Sequence, residues 1–201
     1  QALPAAGAPQ VGPLALAYLI AVSELSILVV LWARLVAPGG LSWRELGLKV
    51  QPLGEYVGAG IVGGCTLFLY ALVVGGILTR FGVRQNQSER FLGIQHAPLS
   101  LFLLTVFAGC VLAPFVEELF FRGYVFQSLY QRWGPVWAYL FSAGLFAVVH
   151  LNLAAAAPIF ALGLALAYIY RRTGSLVPGM IAHGLNNLIA FCLLYFVGAA
   201  S

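Results

Sequence analysis

The stretch Pro114-Phe115-Val116-Glu117-Glu118-Leu119-Phe120-Phe121-Arg122 sets two adjacent carboxylates inside a run of bulky apolar residues that reads as membrane-buried helix. A carboxylate in a low-dielectric medium is costly unless it is paired, protonated or put to use. The chain has only six acidic residues, and two of them stand here side by side. Neighbours on a helix point about 100° apart, so the two carboxylates are expected to do different jobs. Arg122 follows Glu118 by four residues, on the same helix face, with the acid N-terminal to the base. This spacing assigns Glu118 to an ion pair with Arg122 and leaves Glu117 for chemistry. The plainer alternative is that both glutamates lock helices together.

Composition places this stretch in a membrane. Of 201 residues, 62% are hydrophobic and only 8% charged, and the mean hydropathy is +0.96; soluble domains carry about 25% charged residues. Water-soluble classes are excluded. The net charge of +4 is no sign of nucleic-acid binding, because the basic residues lie singly or in pairs between apolar segments. Cys65, Cys110 and Cys192 all fall in apolar runs, with no metal spacing and no CxxC, and read as small core residues.

Outward from the double glutamate, the sequence predicts an all-α polytopic transmembrane bundle of about six spans, with a short interfacial helix and an internal polar cavity. Residues 1–12, rich in Ala, Pro and Gly, are expected to be disordered, and residues 13–201 to form a single transmembrane domain. The first span, about Pro13–Val36, carries Glu24 with Ser23 and Ser26, and Glu24 reads as a structural contact. Ser42 and Glu45 form a Ser-x-x-Glu capping box, predicting a short amphipathic helix with Trp43 at the interface. The second span, about Tyr56–Leu78, holds Gly60-x-x-x-Gly64, a pattern that allows close helix approach. A polar connection at 79–97 follows, where His96 reads as an ordinary exposed histidine.

The third span begins near Leu99 and runs to about Arg132. Pro114, three residues before Glu117, is expected to break it and so to line a cavity. The fourth span, about Val136–His150, ends on His150 after a dozen apolar positions. The fifth covers about Ala155–Tyr170. The sixth, about Ser175–Val197, holds His183 and Asn187 four residues apart on one face, with Asn186 rotated away. Arg34, Arg44, Lys49, Arg132, Arg171 and Arg172 fall on one side of this arrangement, and Arg80, Arg84 and Arg90 on the other. The positive-inside rule then puts the first side, and the mouth of the site, toward the cytoplasm.

Four outlying polar positions emerge: Glu117, His150, His183 and Asn187, with Glu118 and Arg122 in support. A carboxylate and an imidazole can hold and deprotonate a water, and a second imidazole with an amide can stabilise the oxyanion formed on a carbonyl. That is equipment for amide hydrolysis. Glu117, His150 and His183 are also enough ligands for Zn with an open position.

Glu117-Glu118-x-x-x-Arg122, Phe146-x-x-x-His150 and His183-x-x-x-Asn187, in this order on apolar helices, resemble the CPBP family of intramembrane proteases, the family of the CAAX prenyl endopeptidase Rce1 and of the bacterial Abi proteins. Arg172-Thr173-Gly174-Ser175-Leu176 also fits, and the protease-like core covers about 98–197. The resemblance implies that Glu117 and His150 activate water, that His183 and Asn187 form the oxyanion hole, and that Glu118 and Arg122 hold the motif. It implies an endopeptidase acting near the C-terminus or juxtamembrane segment of a membrane-associated protein or peptide, in the bilayer of a bacterial inner membrane. The family includes sites described as metal-dependent and as metal-independent; the absence of an HExxH pair leans to the second. The competing readings are a non-proteolytic scaffold or chaperone of the same family, and a proton-coupled transporter using Glu24, Glu117 and the histidines. The latter predicts an inverted repeat, and the two halves show none.

Overall fold

A computed structural model describes residues 12–82 and 94–198. The expectation of a disordered N-terminus and most of the polar connection, with Arg84 and Arg90, lie outside these residues. The described residues form helices joined by short turns, with no strand among them. Helix α1 covers Pro13–Leu31 and continues as a π-helical turn, Trp32–Val36. Helix α2 covers Leu53–Arg80. The long rod α3 runs Leu99–Trp133, α4 covers Pro135–Val149, α5 Ala156–Thr173 and α6 Val177–Gly198.

The predicted spans therefore all appear as helices. Among the described residues, four segments are long and apolar enough to cross a membrane: Pro13–Val36, Leu53–Arg80, Leu99–Trp133 and Val177–Phe196. Helix α4 is apolar but shorter, and α5 ends on the charged pair Arg171-Arg172. The outward faces are apolar, as a lipid-facing surface demands: Tyr18, Val62, Val73, Val136 and Val148 are each more than 60% exposed. The chain is an integral membrane protein with a helical-bundle fold.

Close helix approach follows from glycine where the sequence placed it. A Cβ at Gly60 would come within 2.5 Å of Ile181 Cβ, and one at Gly64 within 2.9 Å of the Ala182 carbonyl. The Gly60-x-x-x-Gly64 face is thus the seam between α2 and α6. By contrast, α1 and α2 are not a tightly packed pair.

Two expectations need correction. The Ser42–Glu45 capping box forms: the Ser42 N–H and Oγ–H each donate to Glu45 Oε2 at 2.7 Å. Yet the segment makes one turn and not a helix. Gly47, at φ +106°, reverses the backbone after that turn. Leu46, 1% exposed, plugs into a core with Leu119, Phe126 and Leu176, so the segment is packed into the bundle end. The second correction concerns Pro114. It does not break α3; the rod stays helical but shifts to π-helical register at Ala108–Leu112, before the proline, and again at Leu119–Phe126. Widened turns accommodate the proline ring and the missing N–H without interrupting the helix.

The basic residues gather as the sequence suggested. Gln127 Nε2 donates to the Glu45 carbonyl at 3.3 Å and to the Tyr170 hydroxyl. Ser175 Oγ donates to the Lys49 carbonyl at 2.5 Å, and the Leu176 N–H to the Gly47 carbonyl. Arg171 donates to the Tyr130 hydroxyl at 3.0 Å. The turns after α1, α3 and α5 therefore share one end of the bundle. Arg80, in the last turn of α2, belongs to the opposite end.

Candidate active site

The two π-helical turns flank the short α-helical stretch Ala113–Glu118 that carries both glutamates. The first turn creates a specific need. Ala113 N–H bonds to the Ala108 carbonyl in π register, so the next carbonyl, Gly109, would look to residue 114, a proline with no N–H. Asn187 Nδ2 donates to that Gly109 carbonyl at 3.0 Å. Pro114 thus explains why α6 presents an amide here. At the second turn, buried Ser142 of α4 donates to the Phe121 carbonyl at 3.0 Å.

Glu118 and Arg122 form the predicted pair. Arg122 Nη1 donates to Glu118 Oε1 at 2.8 Å with both side chains fully buried. Arg122 Nη2 donates to the Gly163 carbonyl at 3.1 Å, and the guanidinium lies 4.5 Å from the Phe146 ring centroid. Glu118 does more than the spacing suggested. Its Oε1 also faces His183 Nδ1 at 3.3 Å. A carboxylate only accepts, so Nδ1 carries the proton. On the far side of the same ring, His183 Nε2 stands 3.8 Å from Glu117 Oε2. The two glutamates do point apart, but one imidazole lies between them and meets both.

His150 closes α4 as its C-cap. Its Nδ1 lies 2.6 Å from the Phe146 carbonyl, which makes Nδ1 the donor and leaves Nε2 an acceptor in the neutral ring. The next residue, Leu151, sits at φ +49°, a left-handed conformation uncommon for a leucine that turns the chain away directly after His150. Phe146 is the shared platform: its ring centroid is 4.7 Å from that of His150 and 5.8 Å from that of His183.

Glu117, His150, His183 and Asn187 all line one cavity of about 590 Å³, so three helices bring the four predicted positions together. Two further polar residues line it that the sequence reading placed elsewhere. Asn186 donates to Asn187 Oδ1 at 3.2 Å; the cavity wraps a wider arc of α6 than a single helix face, which brings a residue one position off that face to the wall. Glu24 of α1 was read as a structural contact, but it also lines the cavity, 7% exposed. Its Oε2 has no hydrogen-bond partner among the described residues. Ser23 and Ser26 do not supply one through their hydroxyls, which donate to the Ile20 and Val22 carbonyls. The isolation of Glu24 in an apolar span was the available signal. His96 is exposed, as expected.

Among the described residues, no three His, Cys, Asp or Glu side chains are gathered closely enough to hold a metal ion.

Residues 99–189 match the family model described as type II CAAX prenyl endopeptidase Rce1-like. The chain is 30% identical over 94 residues to a Bacillus subtilis (strain 168) protein named "Putative membrane peptidase YdiL", a match covering 47% of this chain and 36% of that relative. The chain therefore aligns with little more than a third of that protein's length. No solved structure gives a significant match. The matched stretch contains all three motifs and every predicted site residue, and the resemblance they carried is borne out by this match over residues 99–189.

Proposed function

We propose that the protein is an intramembrane endopeptidase that hydrolyses a peptide bond of a membrane-associated protein or peptide by a glutamate-activated water. The observation that carries this reading is the convergence of Glu117, His150, His183 and Asn187 on one cavity inside an apolar bundle. Glu117 is the base: its Oε2 is buried without a hydrogen bond among the described residues, ready to take a proton from water held with His150 Nε2. The water oxygen attacks the carbonyl carbon, and the developing oxyanion takes hydrogen bonds from the second N–H of the Asn187 amide and from His183. Because Nδ1–H of His183 is directed at Glu118, His183 donates to the oxyanion from Nε2 only as the imidazolium, with both ring nitrogens protonated. Glu117 then returns its proton to the leaving amine as the C–N bond breaks. Glu118 and Arg122 hold the His183 ring in place.

No step runs through a metal. The site is taken to open toward the cytoplasmic side of a bacterial inner membrane, because Arg34, Arg44, Lys49, Arg132, Arg171 and Arg172 belong to one end of the bundle. The test is cleavage of membrane-peptide libraries by the purified full chain in lipid nanodiscs. Glu117→Ala and His150→Ala should each abolish products while a stripping chelator leaves the rate unchanged. Products that survive Glu117→Ala overturn the peptidase reading, and loss of rate restored by zinc overturns the metal-free one.

A further inference from the structure

The cavity holds one more carboxyl group than hydrolysis needs. Glu24 and Glu117 both line it, and each has a buried oxygen with no hydrogen-bond partner among the described residues. Among the described residues, no lysine or arginine lines the same walls. Arg122, the cation buried beside the site, is committed to Glu118 and to the Gly163 carbonyl. The rest of the lining is largely apolar, with Ile20, Leu67, Phe68, Ile159 and Leu162 among it. An unpartnered carboxylate is costly in such surroundings, and a cation or strong donor brought by a ligand removes that cost.

We propose that Glu24 is a specificity-determining residue: its carboxylate takes a lysine or arginine side chain carried near the scissile bond by an otherwise apolar peptide segment. The proposal rests on the peptidase reading above and narrows its substrate class. Glu117 cannot serve this purpose while it is needed as the base, and Glu24 comes from α1, outside the matched residues 99–189. The helix that reads the substrate is thus separate from those that carry the hydrolytic groups. The apolar walls accept the flanking residues, and the loosely associated α1 and α2 both contribute to them.

The experiment compares fluorescent 20-residue Leu/Ala peptides bearing one lysine at successive positions with their norleucine counterparts. Binding is measured by anisotropy to the full-length chain in nanodiscs, in a His150→Ala background that keeps both carboxylates. At one or two lysine positions, the lysine peptide should bind about 10- to 100-fold tighter than its counterpart. Glu24→Gln should bring that ratio near one, and Glu24→Asp should retain most of it. Equal binding of lysine and norleucine peptides at every position overturns the proposal without any Glu24 variant, as does a preference that Glu24→Gln leaves intact. The binding ratio needs no turnover, so it is judged separately from cleavage by the unmodified chain and its Glu117→Ala variant, which judges the peptidase reading.

Discussion

Oε1 of Glu118 receives two donors at once: Arg122 Nη1 at 2.8 Å and His183 Nδ1 at 3.3 Å. One buried oxygen therefore joins the ion pair of α3 to the imidazole of α6. Its partner oxygen, Oε2, is buried without a hydrogen bond among the described residues and lies against the backbone of Gly179, where a Cβ would approach to 3.2 Å. Glu118 is held by packing as well as by charge, so the orientation of His183 depends on residues that never touch a substrate.

Removing one partner of this pair leaves the other as an uncompensated buried charge. Arg122→Ala is expected to lower stability by about 3–5 kcal/mol, read as a large fall in the thermal unfolding temperature in detergent. Replacing both partners with apolar residues of similar size, Glu118→Leu with Arg122→Met, should restore much of that loss and yet leave the protein inactive, because His183 then has no acceptor at Nδ1. A folded, fully active double variant would show that Glu118 does not orient His183.

Asn187 serves the backbone and the proposed oxyanion hole together. Asn187→Ala strips the Gly109 carbonyl of its donor, which costs about 1–3 kcal/mol of stability, and removes an oxyanion donor, which costs about 10²–10³ in kcat. The two effects separate if rates are normalised to the folded fraction. A normalised kcat within a few-fold of the parent would restrict Asn187 to its bond with Gly109.

The parts of this site that were legible in the sequence are those fixed by helical spacing. Glu118 and Arg122 lie four apart on α3 and pair directly, and His183 and Asn187, four apart on α6, line one cavity. What spacing could not give is the contact between elements distant in the chain. His183 reaches Glu118 only because Gly179 lets the Glu118 carboxylate lie against α6. Glu24 joins the cavity from α1 because of how the bundle closes, which no local pattern records. The π-helical turns were also invisible: the sequence marks Pro114 as a fault in a helix, and whether the helix breaks or widens is decided by partners such as Asn187 and Ser142. Likewise Ser42 and Glu45 identify a helix start, but Gly47 ends it after one turn.

Gly184 supplies a test of helix closeness that does not involve polar chemistry. A Cβ there would run into the Cys110 carbonyl and reach Pro114 Cγ at 3.9 Å. Gly184→Ala should therefore push α6 away from α3 at the level of the site, costing about 1–3 kcal/mol of stability by overpacking. Because His183 precedes it, activity should fall further than the folded fraction does. Gly144→Ala, where a Cβ meets nothing within 4 Å, is the matched control and should leave both readouts unchanged.

The turn at 42–48 should respond to pH through Glu45. The Ser42 hydroxyl and N–H both donate to Glu45 Oε2, and these bonds hold the carboxyl below its usual range although it is fully exposed. A folded-state value lowered in this way adds stability above the ordinary glutamate value and loses it as pH falls through the lowered value. The turn matters to the bundle because Leu46 fills the core and the Gly47 and Lys49 carbonyls receive the start of α6. Hydrogen exchange of the 42–48 segment, corrected for its intrinsic pH dependence, should show protection that is steady from about pH 7 to about pH 5 and declines toward about pH 3. Glu45→Gln should remove that dependence. Protection that falls equally in both proteins would mean that the Ser42–Glu45 bonds do not hold the turn.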